Sequence, residues 1–165
     1  MRSLATNLAG KFIPAAWDNK YILNITGLRN FKRNWDFGFK WRFVGGAPYT
    51  PWDLNKSSFA VAWDAQGKAY PDYSRFNQLR LKAFHQLDIR IDKGYFMQNW
   101  TMRFYIDIQN VYNFKSDEQA QLVRKQDTNN VLLPATGNPP RYPLKTLENS
   151  GGGTILPTIG VVVEF

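Results

Sequence analysis

The sequence predicts an all-β fold: an antiparallel transmembrane β-barrel segment of about five long strands with two long loops on one rim. Three observations predict it. Stretches of eight to thirteen residues alternate apolar and polar side chains, which is the period of a strand with one apolar face. The connections between them alternate short and long, so the long ones share one rim. No run of about 18 apolar residues exists for a membrane helix, and a barrel strand needs none because only alternate residues face lipid.

The final stretch, Thr158 to Phe165, is the organising element. Ile159, Val161, Val163 and Phe165 fall on one face, and Thr158, Gly160, Val162 and Glu164 on the other. Thr158, Gly160, Val163 and the terminal aromatic Phe165 together resemble the C-terminal assembly signal of bacterial outer-membrane barrels.

Residues 1–19 have weak periodicity and contain Pro14 and Trp17-Asp18-Asn19, so they read as a loop or the remnant of a preceding segment. Their apolar residues are interrupted by Asn7, Gly10 and Lys11, unlike a signal peptide. Tyr21 to Leu28 reads as a strand, with Tyr21, Leu23 and Ile25 on one face and Asn24 and Thr26 on the other. After a polar turn, Trp35 to Val44 alternates most clearly. Trp35, Phe37, Phe39, Trp41 and Phe43 face lipid, while Asp36, Gly38, Lys40 and Arg42 face the opposite way. Such a strand rises about 30 Å, or about 23 Å when tilted, which matches the apolar band of an outer-membrane barrel.

A long connection from Gly45 to Ala83 carries Tyr49, Trp52, Trp63 and Tyr73, candidate contacts for a ligand that stacks on aromatic rings; the same residues could equally pack the loop onto the rim. Phe84 to Lys93 places Leu87, Ile89 and Ile91 with His85 on the lipid face, and Asp88, Arg90 and Asp92 on the lumen face. A turn over Gly94 to Asn99 leads to Trp100–Tyr112, with Phe104, Ile106 and Ile108 toward lipid and Arg103, Tyr105 and Asp107 toward the lumen. A second long connection, Asn113 to Leu156, holds Gly151-Gly152-Gly153 before a strand, which is not the context of a phosphate loop.

The rims fit an interfacial girdle: Tyr95, Phe96 and Trp100 lie by one short turn, and Phe31 and Trp35 by the other. Lys40, Arg42, Asp88, Arg90, Asp92, Arg103 and Asp107 form a ladder of mixed charge suited to a lumen. The net charge of +8 is dispersed among acids, so it reads as a solvated basic surface, not a nucleic-acid site. With no Cys and a single His85, neither a zinc centre nor a catalytic triad can be assembled, and no enzyme activity or cofactor is expected.

Pro48-Tyr49-Thr50-Pro51, Asn77-Gln78-Leu79-Arg80, the run Phe84 to Lys93, Tyr105 to Asn113 and Leu156-Pro157-Thr158-Ile159-Gly160 together resemble the C-terminal barrel segment of TonB-dependent outer-membrane receptors of the Bacteroidetes type. The resemblance covers residues 18–165, with 20–165 as barrel. It implies uptake of a siderophore, vitamin B12 or a glycan across the bacterial outer membrane. It implies contact with outer-membrane lipid and lipopolysaccharide, with the rest of the barrel and a plug domain, with the barrel assembly machinery, and with TonB through an N-terminal part. No plug, TonB box or signal peptide occurs in the sequence, and five strands are fewer than the smallest barrels use, so a fragment of such a receptor is expected. The alternative is a soluble secreted β-rich module that binds glycans through loop aromatics.

Overall fold

The computed structural model describes residues 3–6, 10, 12–148 and 151–165. The chain is mostly β and all its sheets are antiparallel. In order, the elements are β1 (Leu4–Thr6), β2 (Phe12–Pro14), β3 (Ile22–Phe31), β4 (Trp35–Val44), β5 (Pro48–Tyr49), α1 (Leu54–Ser58), α2 (Ala60–Gln66), β6 (Leu79–Arg80), β7 (Phe84–Phe96), β8 (Thr101–Gln109), β9 (Gln121–Arg124), β10 (Leu144–Leu147) and β11 (Leu156–Glu164). A 3₁₀ turn spans Tyr73–Arg75. Two compact units interleave along the sequence. A sheet unit comprises Tyr21–Gly45, Lys82–Ser116 and Gly151–Phe165, and a connection unit comprises Met1–Lys20, Gly46–Leu81 and Asp117–Ser150.

The sheet unit is one five-stranded sheet in the order β11-β8-β7-β4-β3. It is open, with β3 and β11 as its edges, and no closed barrel forms among the described residues. The clearest expected strand, Trp35 to Val44, is β4 to the residue. Val44 pairs with Phe84 at the end from which the long connections leave, and Phe31 pairs with Trp35 at the opposite, short-turn end. The first short turn is Lys32-Arg33-Asn34, with Arg33 at φ 62° and Asn34 at φ 59°. Positive φ at consecutive residues matches the twist of a tight hairpin.

Several boundaries differ from expectation. β3 runs on through Arg29–Phe31, read from sequence as turn, because those residues pair with Trp35–Phe37, and β11 begins at Leu156. Gly94 is not in a turn: β7 runs through it to Phe96, whose ring lies beside the position a Gly94 Cβ would occupy. A glycine inside a strand often marks such a close approach. β8 stops at Gln109 because Asn110 and Asn113 take φ of 54° and 52°, which breaks the ladder. Within 1–19, expected as loop, Leu4–Thr6 pairs antiparallel with Phe12–Pro14, while residues 1, 2, 7–9 and 11 of that expectation lie outside the described residues.

The long connections are folded. Asp53 caps α1 by accepting from the Lys56 N–H at 2.8 Å. α2 is alanine-rich and ends on Gly67 at φ 69°, whose N–H donates to the Trp63 carbonyl at 2.7 Å. Its Trp63 packs with Ala69 and Leu122, flanked by Trp52, Tyr142 and Leu144, to make the core of the connection unit.

Two of the sequence motifs singled out above, Pro48-Tyr49-Thr50-Pro51 and Asn77-Gln78-Leu79-Arg80, meet in this unit. Pro48 and Tyr49 pair with Arg80 and Leu79. Asn77, at φ 52°, donates its N–H to Thr50 Oγ1 at 3.0 Å and its side-chain amide to the Pro14 carbonyl at 2.8 Å. Arg80 Nη2 bonds Asp18 Oδ2 at 2.6 Å, and its Nη1 donates to the carbonyls of Gly46, at 2.9 Å, and Asp18. Asp18 is wholly buried.

Candidate functional site

The candidate site is the pair of faces of the five-stranded sheet. Residues directly opposite in an antiparallel ladder share a face, so the register assigns every side chain. On one face β4 supplies Trp35, Phe37, Phe39, Trp41 and Phe43, β7 supplies Leu87, Ile89 and Ile91, and β8 supplies Phe104, Ile106 and Ile108. β11 adds Ile159, Val161 and Val163, and β3 adds Leu23 and Ile25. All the residues expected to face lipid therefore share one surface.

None of these residues is buried. Among the described residues the buried hydrophobics are Ala60, Trp63, Ala69 and Leu122, all in the connection unit. A water-soluble sheet ordinarily buries its apolar face against a second layer; this one leaves Trp35, Ile91, Phe104 and Ile106 at 40–46% exposure.

The apolar face is bounded at both ends by amphipathic aromatic rows. At the long-connection end Tyr21 stacks on Phe43 at 5.8 Å and Phe43 on His85 at 6.3 Å. His85 Nδ1 lies 2.8 Å from the Tyr112 hydroxyl, so the lone histidine is an aromatic-row member with a polar partner. At the short-turn end stand Phe31, Trp35, Tyr95 and Phe104, with Tyr95 edge-on to Phe104 at 5.9 Å. Phe96, expected in this girdle, falls on the opposite face, because it pairs with Thr101 one residue out of phase with Tyr95. From Trp35 to Phe43 the strand rises about 27 Å, or about 20 Å when tilted, near the height of an outer-membrane apolar band.

The other face is charged. Lys40, Arg42, Asp88, Arg90, Asp92, Arg103 and Asp107 all lie on it, as expected for the ladder. The pairs are particular. Arg42 bonds Asp88 at 3.3 Å across strands, whereas Arg90 bonds Asp92 two residues along its own strand through Nε at 2.9 Å and Nη2 at 2.8 Å. Among the described residues Lys40, Arg103 and Asp107 form no ion pair within 4.0 Å. Asp88 is also a structural hub: its Oδ1 accepts from Gln86 at 2.6 Å and from the Asn110 N–H at 3.0 Å. Ile22 and Leu28 sit on this face too, which explains their break in the alternation of β3.

Tyr105, Arg90 and Gly160 form a stack on the charged face. The Arg90 guanidinium lies 4.2 Å from the centre of the Tyr105 ring, which covers Gly160 directly across the β8–β11 pair. A Cβ at Gly160 would strike that ring. Gly160, read from sequence as part of an assembly signal, is thus a seat for an aromatic side chain. Thr158 joins it on the charged face opposite Asp107, Val163 lies on the apolar face opposite Met102, and Phe165 follows the strand fully exposed. Gly160→Ala is expected to displace the ring and cost about 1 kcal/mol. In a double-mutant cycle with Tyr105→Ala most of that cost should vanish; additive effects would show that the ring does not use this seat.

Of the candidate ligand aromatics, Trp63 is buried in the core and Trp52 donates its indole N–H to the Ala120 carbonyl at 2.6 Å, so both hold the unit together instead of presenting a ring. Tyr49 is half-buried on β5. Tyr73 alone presents an open ring, 69% exposed and stacked on Phe76 at 6.2 Å. Sequence reasoning missed the buried Asp18–Arg80 pair, since its partners are far apart in the chain and neither stands in a charge pattern. No group of three or more potential metal ligands occurs among the described residues.

No protein-family model, no curated protein and no solved structure matches the chain.

Proposed function

We propose that the chain is the C-terminal barrel portion of a TonB-dependent outer-membrane receptor that takes up a siderophore, vitamin B12 or a glycan. The observation that carries this reading is the uncovered apolar face of the sheet, bounded above and below by amphipathic aromatics and backed by a charged face. Lipid is the medium that such a face fits, and water or a polar plug is what the charged face fits. The open edges β3 and β11 carry unpaired ladder groups along ten and nine residues, which further strands of the same barrel would satisfy. The sheet's role is scaffolding: the apolar face anchors, the charged face lines the lumen, and the folded connections supply the surface that meets substrate. No residue performs covalent chemistry in this role.

An antibody raised against residues 46–81 and used on fractionated cells tests it. The expected result is a band in the outer membrane far heavier than 19.1 kDa. A soluble band at 19.1 kDa would overturn the receptor reading in favour of a secreted module that binds glycans through exposed aromatics such as Tyr73.

A further inference from the structure

We propose that the short-turn end of the apolar face binds the headgroup of an anionic phospholipid through Arg29 and Lys93; this rests on the membrane reading above. The register places both residues on the apolar face, opposite Phe37 and opposite Trp35 and Phe104. They are the only formally charged side chains of the five strands on that face among the described residues, and no carboxylate shares it. Both lie at the same end. A bare cation facing lipid is costly, so long basic side chains reach from strand ends toward the interface.

The aromatic row holds these two in place. The Arg29 guanidinium lies 5.3 Å from the Phe31 ring centre, and the Lys93 ammonium lies 5.2 Å from Trp35 and 5.4 Å from Tyr95. Lys93 also donates to the Arg33 carbonyl, which draws the turn beside it. Ring faces stabilise one side of each cation without neutralising it. The adjoining turn adds Lys32 and Arg33, with Arg33 in the left-handed region that a glycine would occupy without steric cost. The neighbouring strand carboxylates Asp36 and Asp92 are on the opposite face and already bonded, Asp36 to Asn30 at 2.6 Å and Asp92 to Arg90 at 2.8 Å. This end is therefore a cluster of positive charge, on the lipid-facing side, at interface depth. A phosphodiester headgroup supplies the missing negative charge, and its acyl chains would lie along Phe37, Ile91 and Phe104.

Tryptophan quenching by brominated lipid tests the proposal on the protein as isolated from cells, reconstituted in phosphatidylcholine vesicles. The vesicles carry a minor fraction of either brominated phosphatidylglycerol or brominated phosphatidylcholine. Trp35 beside Lys93 is the reporter, its signal isolated from the other five tryptophans by subtracting the quenching of a Trp35→Phe chain. The expected result is stronger quenching by the brominated phosphatidylglycerol, reflecting a local enrichment of about fivefold. The Arg29→Gln/Lys93→Gln variant should lose that preference while keeping its quenching in wholly brominated phosphatidylcholine. The Lys40→Gln/Arg103→Gln variant, which removes two charges from the opposite face, should keep it. Equal quenching by the two lipids in the unaltered chain, or a preference that survives the first variant, overturns the headgroup site while leaving the membrane reading intact. No quenching in any vesicle overturns the membrane reading and this proposal with it.

Discussion

Arg80→Ala is expected to lower the stability of the connection unit by about 3 kcal/mol, the lower end of what loss of one partner of a buried ion pair costs. Arg80 is the junction of three segments. Its guanidinium meets the Asp18 carboxylate and the carbonyls of Asp18 and Gly46, while its backbone pairs with Pro48. Asp18 is 0% exposed, so its charge cannot turn to water when the guanidinium is removed. The Ser3 N–H, at 3.2 Å from Oδ1, remains and moderates the loss. Amide exchange at Leu81 is the readout, because that N–H bonds the Ala47 carbonyl at 3.0 Å within the same junction. A 3 kcal/mol loss should speed exchange by about two orders of magnitude if the amide opens with the unit. Arg80→Lys keeps the charge but not the planar fork, so it should fall between the two. Unchanged exchange in Arg80→Ala would show that the pair does not hold the junction.

Gly153→Ala is the second large effect. A Cβ there would fall on the carbonyl of Phe114 and, at 2.8 Å, on the Lys115 side chain. Backbone cannot rotate away as a side chain can, so the 153 and 114 segments must separate. Asn110 spans them: its amide donates to the Phe114 carbonyl at 3.0 Å and the Thr154 carbonyl at 3.3 Å, and its Oδ1 accepts from the Phe114 N–H at 2.8 Å. Asn110 is buried, so a stretched bond is not replaced by water. Strain plus the weakened bridge should cost about 2–3 kcal/mol. Gly152→Ala is the control, with open space around its Cβ, and should stay within about 0.5 kcal/mol. Denaturant midpoints of the two variants measure the difference; equal midpoints would remove the close approach from the account. Of the adjacent Gly152 and Gly153, which look alike in sequence, contact singles out the second.

The sheet strands were legible from residues 20 onward because a half-covered strand writes its faces into the sequence with period 2. The alternation of Trp35 to Phe43 placed β4 to the residue, and the apolar and charged sets separated onto the two faces of the sheet. Phe96 misled because girdle membership was judged by nearness to a turn, whereas the face depends on parity along β7. Gly94 misled because glycine is a common turn residue, and only the neighbouring Phe96 ring shows why one lies within a strand. The helices α1 and α2 were overlooked although signals were present: Asp53 as cap, an alanine-rich run, and Gly67 to end it.

By itself, then, the sequence determined the local pattern of the five sheet strands: where they run and which face each of their residues takes. Those properties depend on neighbours two or four residues away. Tertiary structure alone decided what the long connections do. Pro48-Tyr49 meets Leu79-Arg80, Asp18 meets Arg80, and Trp52 and Trp63 become core instead of open rings. Those contacts join residues far apart in the chain, where burial and hydrogen-bond satisfaction select partners that no local period encodes.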